Sequence, residues 1–261
     1  MDDPTPLVLG LLAAAALLAG WVDAVVGGGG LIQLPALVLA FPGAAPVQLL
    51  ATNKVASICG TSTAAVTYLR RIRPDLRTAV PLALAAFGGS ALGAAAASHL
   101  PRAWFNPIIL VALVGVGGYT LLRPRLGMIS ELRYAGRRHL SAALLVGAGI
   151  GCYDGALGPG TGSFLVIALV GWVGYSFLQA SAKAKLANFA TNLAALAVFV
   201  PQGAVSWRTG LIMGAANLAG GYLGARTAVS RGEAFIRAVF IVVVGAFTLR
   251  MGYDVWWQFA G

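Results

Sequence analysis

The chain has 261 residues, 59% of them hydrophobic and only 10% charged, with a mean hydropathy of +0.83, a balance that excludes an ordinary soluble domain and describes a polytopic membrane protein. The formal net charge of +10 does not point to nucleic acid, because the basic residues gather in short connections between apolar spans, where the positive-inside bias places them. Two cysteines, Cys59 and Cys152, lie in apolar segments and make neither a disulfide framework nor a metal-ligand spacing, so no cofactor or metal is expected.

In chain order, Met1 to Pro4 is acidic and lacks the basic region of a signal peptide, so the first apolar segment is expected to stay in the mature protein. Apolar segments of helical length follow at 5–26, 31–41, 46–69, 78–100 and 103–122, then at 140–157, 162–172, 177–200, 208–228 and 235–257. The pieces of about eleven residues at 31–41 and 162–172 reach only about 16 Å, roughly half the thickness of a bilayer core. They cannot cross alone. Each follows a glycine-rich break with an aspartate just ahead of it: Asp23 before Gly27, Gly28, Gly29 and Gly30, and Asp154 before Gly158, Pro159, Gly160, Thr161 and Gly162. Lipid offers no hydrogen-bond partner, so backbone broken at that depth must be buried in protein or line a cavity.

The two aspartates stand 131 residues apart, and the same offset relates Lys54 to Lys185, the Arg-Thr step at 77 to that at 208, and a Leu-Gly-Ala run at 92 to another at 223. The chain reads as a tandem duplication. The fold class expected is an all-α polytopic membrane protein with repeats at 1–130 and 131–261 inside one integral membrane domain.

Arginine placement chooses the topology. If the first segment crossed fully, the repeats would be parallel, and the connection carrying Arg226, Arg231 and Arg237 would lie outside. If each break is instead the tip of a re-entrant hairpin, every repeat is a broken hairpin plus three transmembrane helices, and the repeats are inverted. Twelve arginines (Arg70, Arg71, Arg73, Arg77, Arg123, Arg125, Arg133, Arg137, Arg138, Arg226, Arg231 and Arg237) then fall on the cytoplasmic side, against Arg102, Arg208 and Arg250. This arrangement puts both termini, with Asp2, Asp3 and Asp254, outside. Inverted repeats with broken helices meeting at mid-membrane are a recurrent build for secondary transporters.

All three lysines, Lys54, Lys183 and Lys185, lie in the helices after the breaks, and none in a loop. Lys54 and Lys185 are each eight residues into their helices, about 12 Å deep. An intramembrane charge marks a pathway or a partner. The structural alternative pairs Asp23 with Lys54 and Asp154 with Lys185, holding helices together. Lys183 has Thr52 as its counterpart, and its plain reading is a lysine snorkelling to the cytoplasmic end.

The short helices are expected to turn their N-termini to the midplane, where free N–H groups and the positive dipole end favour an anion and glycine allows close approach. The substrate-binding candidates are therefore Gly28, Gly29, Gly30, Leu31, Thr52, Asn53 and Lys54 with Gly160, Thr161, Gly162, Ser163, Lys185, Asn188 and Asn192, and Asp23 and Asp154 are candidates for ion coupling. Thr61, Ser62, Thr63 and Thr191 are further polar residues within reach, although such residues commonly serve helix packing in membranes.

Other features have plainer readings. The glycines at 88–93 and 220–224 form small-residue packing patterns. His99 and His139 read as solvated loop residues, and Trp104, Trp207, Trp256 and Trp257 as an aromatic belt. No GxxxxGK[ST] loop and no Ser/His/Asp or metalloprotease constellation is present, so ATP-driven transport and enzymatic activity are not expected. The expected function is alternating-access transport of a small anion, with an anion channel and a non-transporting membrane assembly partner as alternatives.

The motifs WVDAVVGGGGLI (21–32), ATNK (51–54), YDGALGPGTGSF (153–164) and AKAKLANFATN (182–192) resemble the TauE/SafE family of sulfite exporter-like membrane proteins, and the resemblance covers essentially the whole chain. It implies a carrier of the bacterial inner membrane that exports small sulfur oxyanions or organosulfonates under coupling to an ion gradient. The second break, with its Pro-Gly-Thr-Gly, looks like one subgroup of that family.

Overall fold

A computed structural model describes residues 4–97, 105–123 and 126–260. Arg102, Arg125, His99, Trp104, Asp2 and Asp3, all used in the sequence reading, lie outside them. The described residues are helical, without strands: α1 (Pro6–Val26), α2 (Gly30–Ala40), α3 (Pro46–Ile72), α4 (Leu76–Ala96), α5 (Phe105–Leu122), α6 (Gly136–Ala156), α7 (Thr161–Ala168), α8 (Phe177–Phe199) and α9 (Trp207–Ala260). Helices α1, α4 and α9 are long and apolar enough to cross a membrane, whereas α2 and the α7 stretch are short apolar helices.

Local chemistry sets the ends. Thr5 caps α1 through Val8 N–H with Pro6 in the first turn, and Pro46 opens α3 in the same way. Asp75 caps α4 by accepting from Arg77 N–H at 3.0 Å and from the Thr78 hydroxyl at 2.8 Å. The Thr78 hydrogen bond above all holds the Asp75 carboxyl below the ordinary carboxylate range. Helix α1 stops where Gly27 turns left-handed at φ 87 and its N–H closes on Asp23 O.

Two departures from the expected elements are physical. The connection expected at 228–235 is helical, and α9 is broken only at Gly232 (φ 76, ψ −168), because one glycine in that conformation redirects the axis without a loop. The α7 stretch widens into a π-turn at Leu169–Val173, closed by Gly174 N–H on Leu169 O.

Packing registers fix directions. Gly20 of α1 meets Asn217 and Gly221 of α9, and Trp21 and Ala24 meet Gly224, so α1 runs parallel to the first half of α9. Helix α3 runs the same way, with Thr52 beside Ser206, Val55 at Gly210 and Cys59 at Gly214. On the other side Gly147, Gly151 and Gly155 of α6 climb past Leu82, Ala86 and Ser90 of α4 in a parallel register. These backbone approaches need small residues, the device by which helices associate where lipid supplies no hydrophobic drive. Interhelical hydrogen bonds add to them, from Asn217 Nδ2 to Ala16 O at 2.9 Å and from the Tyr68 hydroxyl to Ala24 O at 3.1 Å, each worth about 1 kcal/mol.

The largest buried cluster joins Val25, Val26 and Tyr68 to Leu165, Val166, Phe177 and Phe240, binding the two halves into one core around both breaks. Leucines on the outside, such as Leu7, Leu39, Leu84 and Leu249, are exposed, as are Trp207, Trp256 and Trp257.

Candidate functional site

The two glycine breaks touch. Gly27 O accepts from Ser163 N–H at 3.1 Å, and the Ser163 hydroxyl donates to Val26 O at 2.8 Å. A Cβ on either Gly27 or Gly162 would fall inside the other's backbone, so glycine at both positions is what allows the two half-helices to abut.

Around this contact the charges pair across the two halves. Lys54 Nζ donates to Asp154 Oδ2 at 2.6 Å, and Lys185 Nζ donates to Asp23 Oδ2 at 2.9 Å and also to Asp23 O. The pairing of Asp23 with Lys54 and Asp154 with Lys185 is thus corrected to the crossed arrangement. The physical reason is the abutment itself, which brings the end of α6 to the first half of α3, and the end of α1 to the first half of α8. Each carboxylate has its second oxygen occupied: Asp154 Oδ1 accepts from the Thr161 hydroxyl at 2.7 Å, and Asp23 Oδ1 from Gly29 N–H at 3.3 Å.

Between the pairs lies a cavity of about 20 Å³, room for about one water molecule. Asp23, Gly30, Asn53, Lys54, Asp154, Gly160, Thr161, Gly162, Asn188 and Asn192, all singled out in the sequence, line it. Lys185 reaches it through Asp23. The other candidates stand elsewhere. Gly28 faces Val22 and Val243, and Gly29 sits against Asp23. Leu31 is in the apolar core. The Thr52 hydroxyl accepts from Ser206 N–H, and Ser163 is spent on the first break.

One amide at the start of each short helix is engaged by the protein, Ser163 N–H by Gly27 O and Gly29 N–H by Asp23. Asp23 therefore occupies a place beside an amide and a lysine that an oxyanion would take, and Asp154 one beside Lys54 and the Thr161 hydroxyl. Asn53 Oδ1 is buried without a hydrogen-bond partner on the cavity wall. Across the α3 and α8 contact, Asn192 Nδ2 donates to Thr61 Oγ1 at 3.3 Å.

Sequence reasoning missed Gly27, Ser57 and Gly158, which also line the cavity, and Gln33, fully buried on α2, whose Oε1 accepts from the Ser57 hydroxyl at 3.4 Å. Signals were present: Ser57 stands one turn beyond Lys54 on the same helix face, and Gln33 is a lone amide in an apolar half-helix. Among the described residues no group of three His, Cys, Asp or Glu side chains is placed to hold a metal.

Two side chains depart from the roles read for them. Lys183 does not snorkel outward; it is buried with Nζ 4.2 Å from the Tyr175 ring centroid, because α8 is enclosed by other helices along this stretch. His139 is not a solvated loop residue. It sits in the first turn of α6, where Nε2 lies 2.8 Å from the Tyr175 hydroxyl.

Compared with known proteins, residues 12–251 match the family described as Sulfite exporter TauE/SafE. A "Probable membrane transporter protein ORF9" of Sinorhizobium is 35% identical over 97% of this chain and 96% of its own length. A "Probable membrane transporter protein" of Haemophilus influenzae is 35% identical over 96% of both chains. The "Probable membrane transporter protein YfcA" of Escherichia coli is 35% identical over 96% of this chain and 91% of its own. No solved structure matches the chain.

Proposed function

This chain belongs to the Sulfite exporter TauE/SafE family of membrane transporters, and we propose that it carries a small sulfur oxyanion or organosulfonate by alternating access around the cavity between the glycine breaks. The observation that carries this reading is the crossed pair of ion pairs, Lys54 with Asp154 and Lys185 with Asp23, closing one small polar cavity from both halves of the chain.

In this arrangement each lysine is neutralised by the protein's own carboxylate. An oxyanion takes a carboxylate's place beside a lysine only when that carboxylate is protonated or swings away, because two anions a few ångströms apart in a poorly hydrated site repel strongly. Asp23 and Asp154 are therefore the proposed proton carriers, and proton and anion occupy the site together. A cavity of about 20 Å³ is too small for a polyatomic anion, so binding requires the breaks to part, which favours a gated carrier over an open channel.

The proposed architecture is two inverted repeats, 1–130 and 131–261, in the bacterial inner membrane with both termini outside. Its support is the register of the helices. Arg73, Pro74 and Asp75 alone connect α3 to α4, a reach of about 10 Å, so α4 must return across the membrane. Helices α1 and α3 keep the direction of the first half of α9, and α6 keeps that of α4.

The test is counterflow in proteoliposomes with sulfite, sulfate, thiosulfate and a sulfonate. Saturable uptake stimulated by substrate on the trans side is the expected result, lost in Lys54→Ala with Lys185→Ala. Flux without trans-stimulation would identify a channel, and function unchanged in the double variant a non-transporting partner.

A further inference from the structure

A second cavity, of about 750 Å³, opens between the start of α4, the start of α6 and the start of α8, and its wall includes Arg73, Arg133, His139, Tyr175, Gln179 and Lys183. Lys183 is 0% exposed. Unlike Lys54 and Lys185, it has no carboxylate within salt-bridge distance among the described residues. Its ammonium has only the Tyr175 ring face at 4.2 Å and Gln179 Oε1 at 3.5 Å, the outer limit of a hydrogen bond. Asp75 of the same wall is the described carboxylate that acts on it, from beyond ion-pair distance, and a buried ammonium so weakly compensated is costly, which an anion in the cavity would relieve.

The rest of the wall is built for one. His139 is fixed by the Tyr175 hydroxyl at 2.8 Å and Thr78 Oγ1 at 3.3 Å, which leaves its buried Nδ1 with no hydrogen-bond partner. Arg73 ends α3 in the left-handed region at φ 49, a conformation a non-glycine residue holds only when its surroundings require it. The one carboxylate of the wall, Asp75, is occupied by Arg77 N–H and the Thr78 hydroxyl.

In the other half of the chain the counterparts of Lys183, Asp75 and Thr78 are uncharged. At the 131-residue offset Thr52 stands for Lys183, Ser206 for Asp75 and Thr209 for Thr78. There Thr52 Oγ1 accepts from Ser206 N–H at 3.1 Å, and the Ser206 hydroxyl meets Thr209 at 3.3 Å. Lys183 and Lys185 are two residues apart on α8 and so on different faces of that helix, with Lys183 and the charged cavity nearer the helix start.

We propose that this cavity is an oxyanion-docking vestibule in which the Lys183 ammonium, with Arg73 and Arg133 at the mouth, receives a sulfate-like or sulfonate group on its way to the central site and gives the carrier a loading face. For the route it rests on the transporter reading above; for the binding it does not. The same chemistry suits the phosphate of an anionic lipid headgroup, and the test separates the two.

Equilibrium binding of radiolabelled sulfate is measured for the full chain in nanodiscs of neutral phosphatidylcholine, and half-saturating concentrations for flux are measured in vesicles of both orientations. Lys183→Met should weaken sulfate binding by about tenfold or more, the effect of losing one charged hydrogen bond, and should raise the half-saturating concentration from one face alone. Lys183→Arg should retain binding. Arg73→Gly removes a mouth charge while relieving the backbone, so it should weaken binding without lowering the folded yield.

Unchanged binding in Lys183→Met overturns the proposal, as does equal loss in Lys183→Arg, which would mean that lysine serves packing alone. Lys183-dependent retention of anionic lipid, with sulfate binding indifferent to Lys183, also overturns it and names the headgroup as occupant. If the wild type binds sulfate through Lys183 yet moves no oxyanion, the transporter reading fails and the vestibule stands.

Discussion

The two glycine breaks occupy matching places, 131 residues apart, and differ at nearly every position after the first glycine. Gly27 and Gly158 match, both left-handed at φ 87 and φ 90. Beyond them the first break continues Gly28, Gly29, Gly30, Leu31, where the second has Pro159, Gly160, Thr161, Gly162. The second is pinned: the Tyr153 hydroxyl donates to Pro159 O at 2.6 Å, and Thr161 holds both Asp154 and Gly158 O. The first has an amide where the second has a hydroxyl, Gly29 N–H on Asp23 at 3.3 Å. Its carboxylate is also the more exposed, 15% for Asp23 against 2% for Asp154. In the carrier proposed above the breaks are the gates: the second is stiff, tied within its own half, and dry, whereas the first is held from the other half by Ser163 and Lys185 and is partly wetted, so the Lys185 and Asp23 pair is expected to part first.

The largest effect should come from the contact that joins the gates. Gly27→Ala forces a Cβ into the Gly162 backbone at a left-handed φ, and neither backbone can yield without separating the half-helices. Loss of folded protein is expected, read as absence of a monodisperse peak in detergent. Gly160→Ala is the matched control. It is left-handed too, at φ 80, but its nearest neighbours are the side chains of Phe164 and Leu31, which can shift. The cost there should be about 1–2 kcal/mol of backbone strain, with the peak retained. Equal loss in both variants would remove the special standing of the Gly27 contact.

Next come the lysines. Removing one partner of a buried pair strands the other charge, at about 3–5 kcal/mol. Lys54→Ala should lie at the upper end, because Asp154 is 2% exposed, and Lys185→Ala lower, because Asp23 at 15% retains some water. Denaturation midpoints of the two variants give the order. Replacing the stiff pair together, Lys54→Met with Asp154→Leu, should restore much of the stability and leave transport abolished. An inverted order of the single variants would make the first gate the dry one.

Much of this was legible before any coordinates. The helices, the breaks and the offset follow from apolar run lengths and glycine placement, since a half-length apolar segment after a glycine run has few alternatives in a membrane. The crossed pairing was not, because Asp23 and Lys54 belong to the same repeat, and nothing local reveals that the breaks abut and exchange partners. In the sequence Gly27 is one glycine of the break and not a site candidate, although its abutment with Gly162 positions both pairs. Lys183 was misread for a related reason. Lying six residues from the start of α8 makes it resemble a snorkelling residue, and only its burial against the Tyr175 ring in the folded chain shows otherwise.

The smallest expected effect tests the stiffness itself. Thr161→Val keeps the shape of the side chain but removes the hydroxyl that donates to Asp154 Oδ1 and Gly158 O, leaving a buried carboxylate oxygen one donor short, at about 1–3 kcal/mol. The second gate then resembles the first, so its pair should part more readily. The expected signature is a modest fall in the denaturation midpoint together with faster exchange across the membrane, or a weaker preference for one face. The converse change is Gly30→Thr, since Gly30 is the counterpart of Thr161 and a Cβ there meets Pro159 Cα at an ordinary 3.4 Å. A hydroxyl at that position is placed to tie Asp23 as Thr161 ties Asp154, which should slow counterflow at little expense in stability. If both variants change stability and neither changes the rate or its sidedness, the difference between the gates is structural, and the motion that carries substrate lies elsewhere.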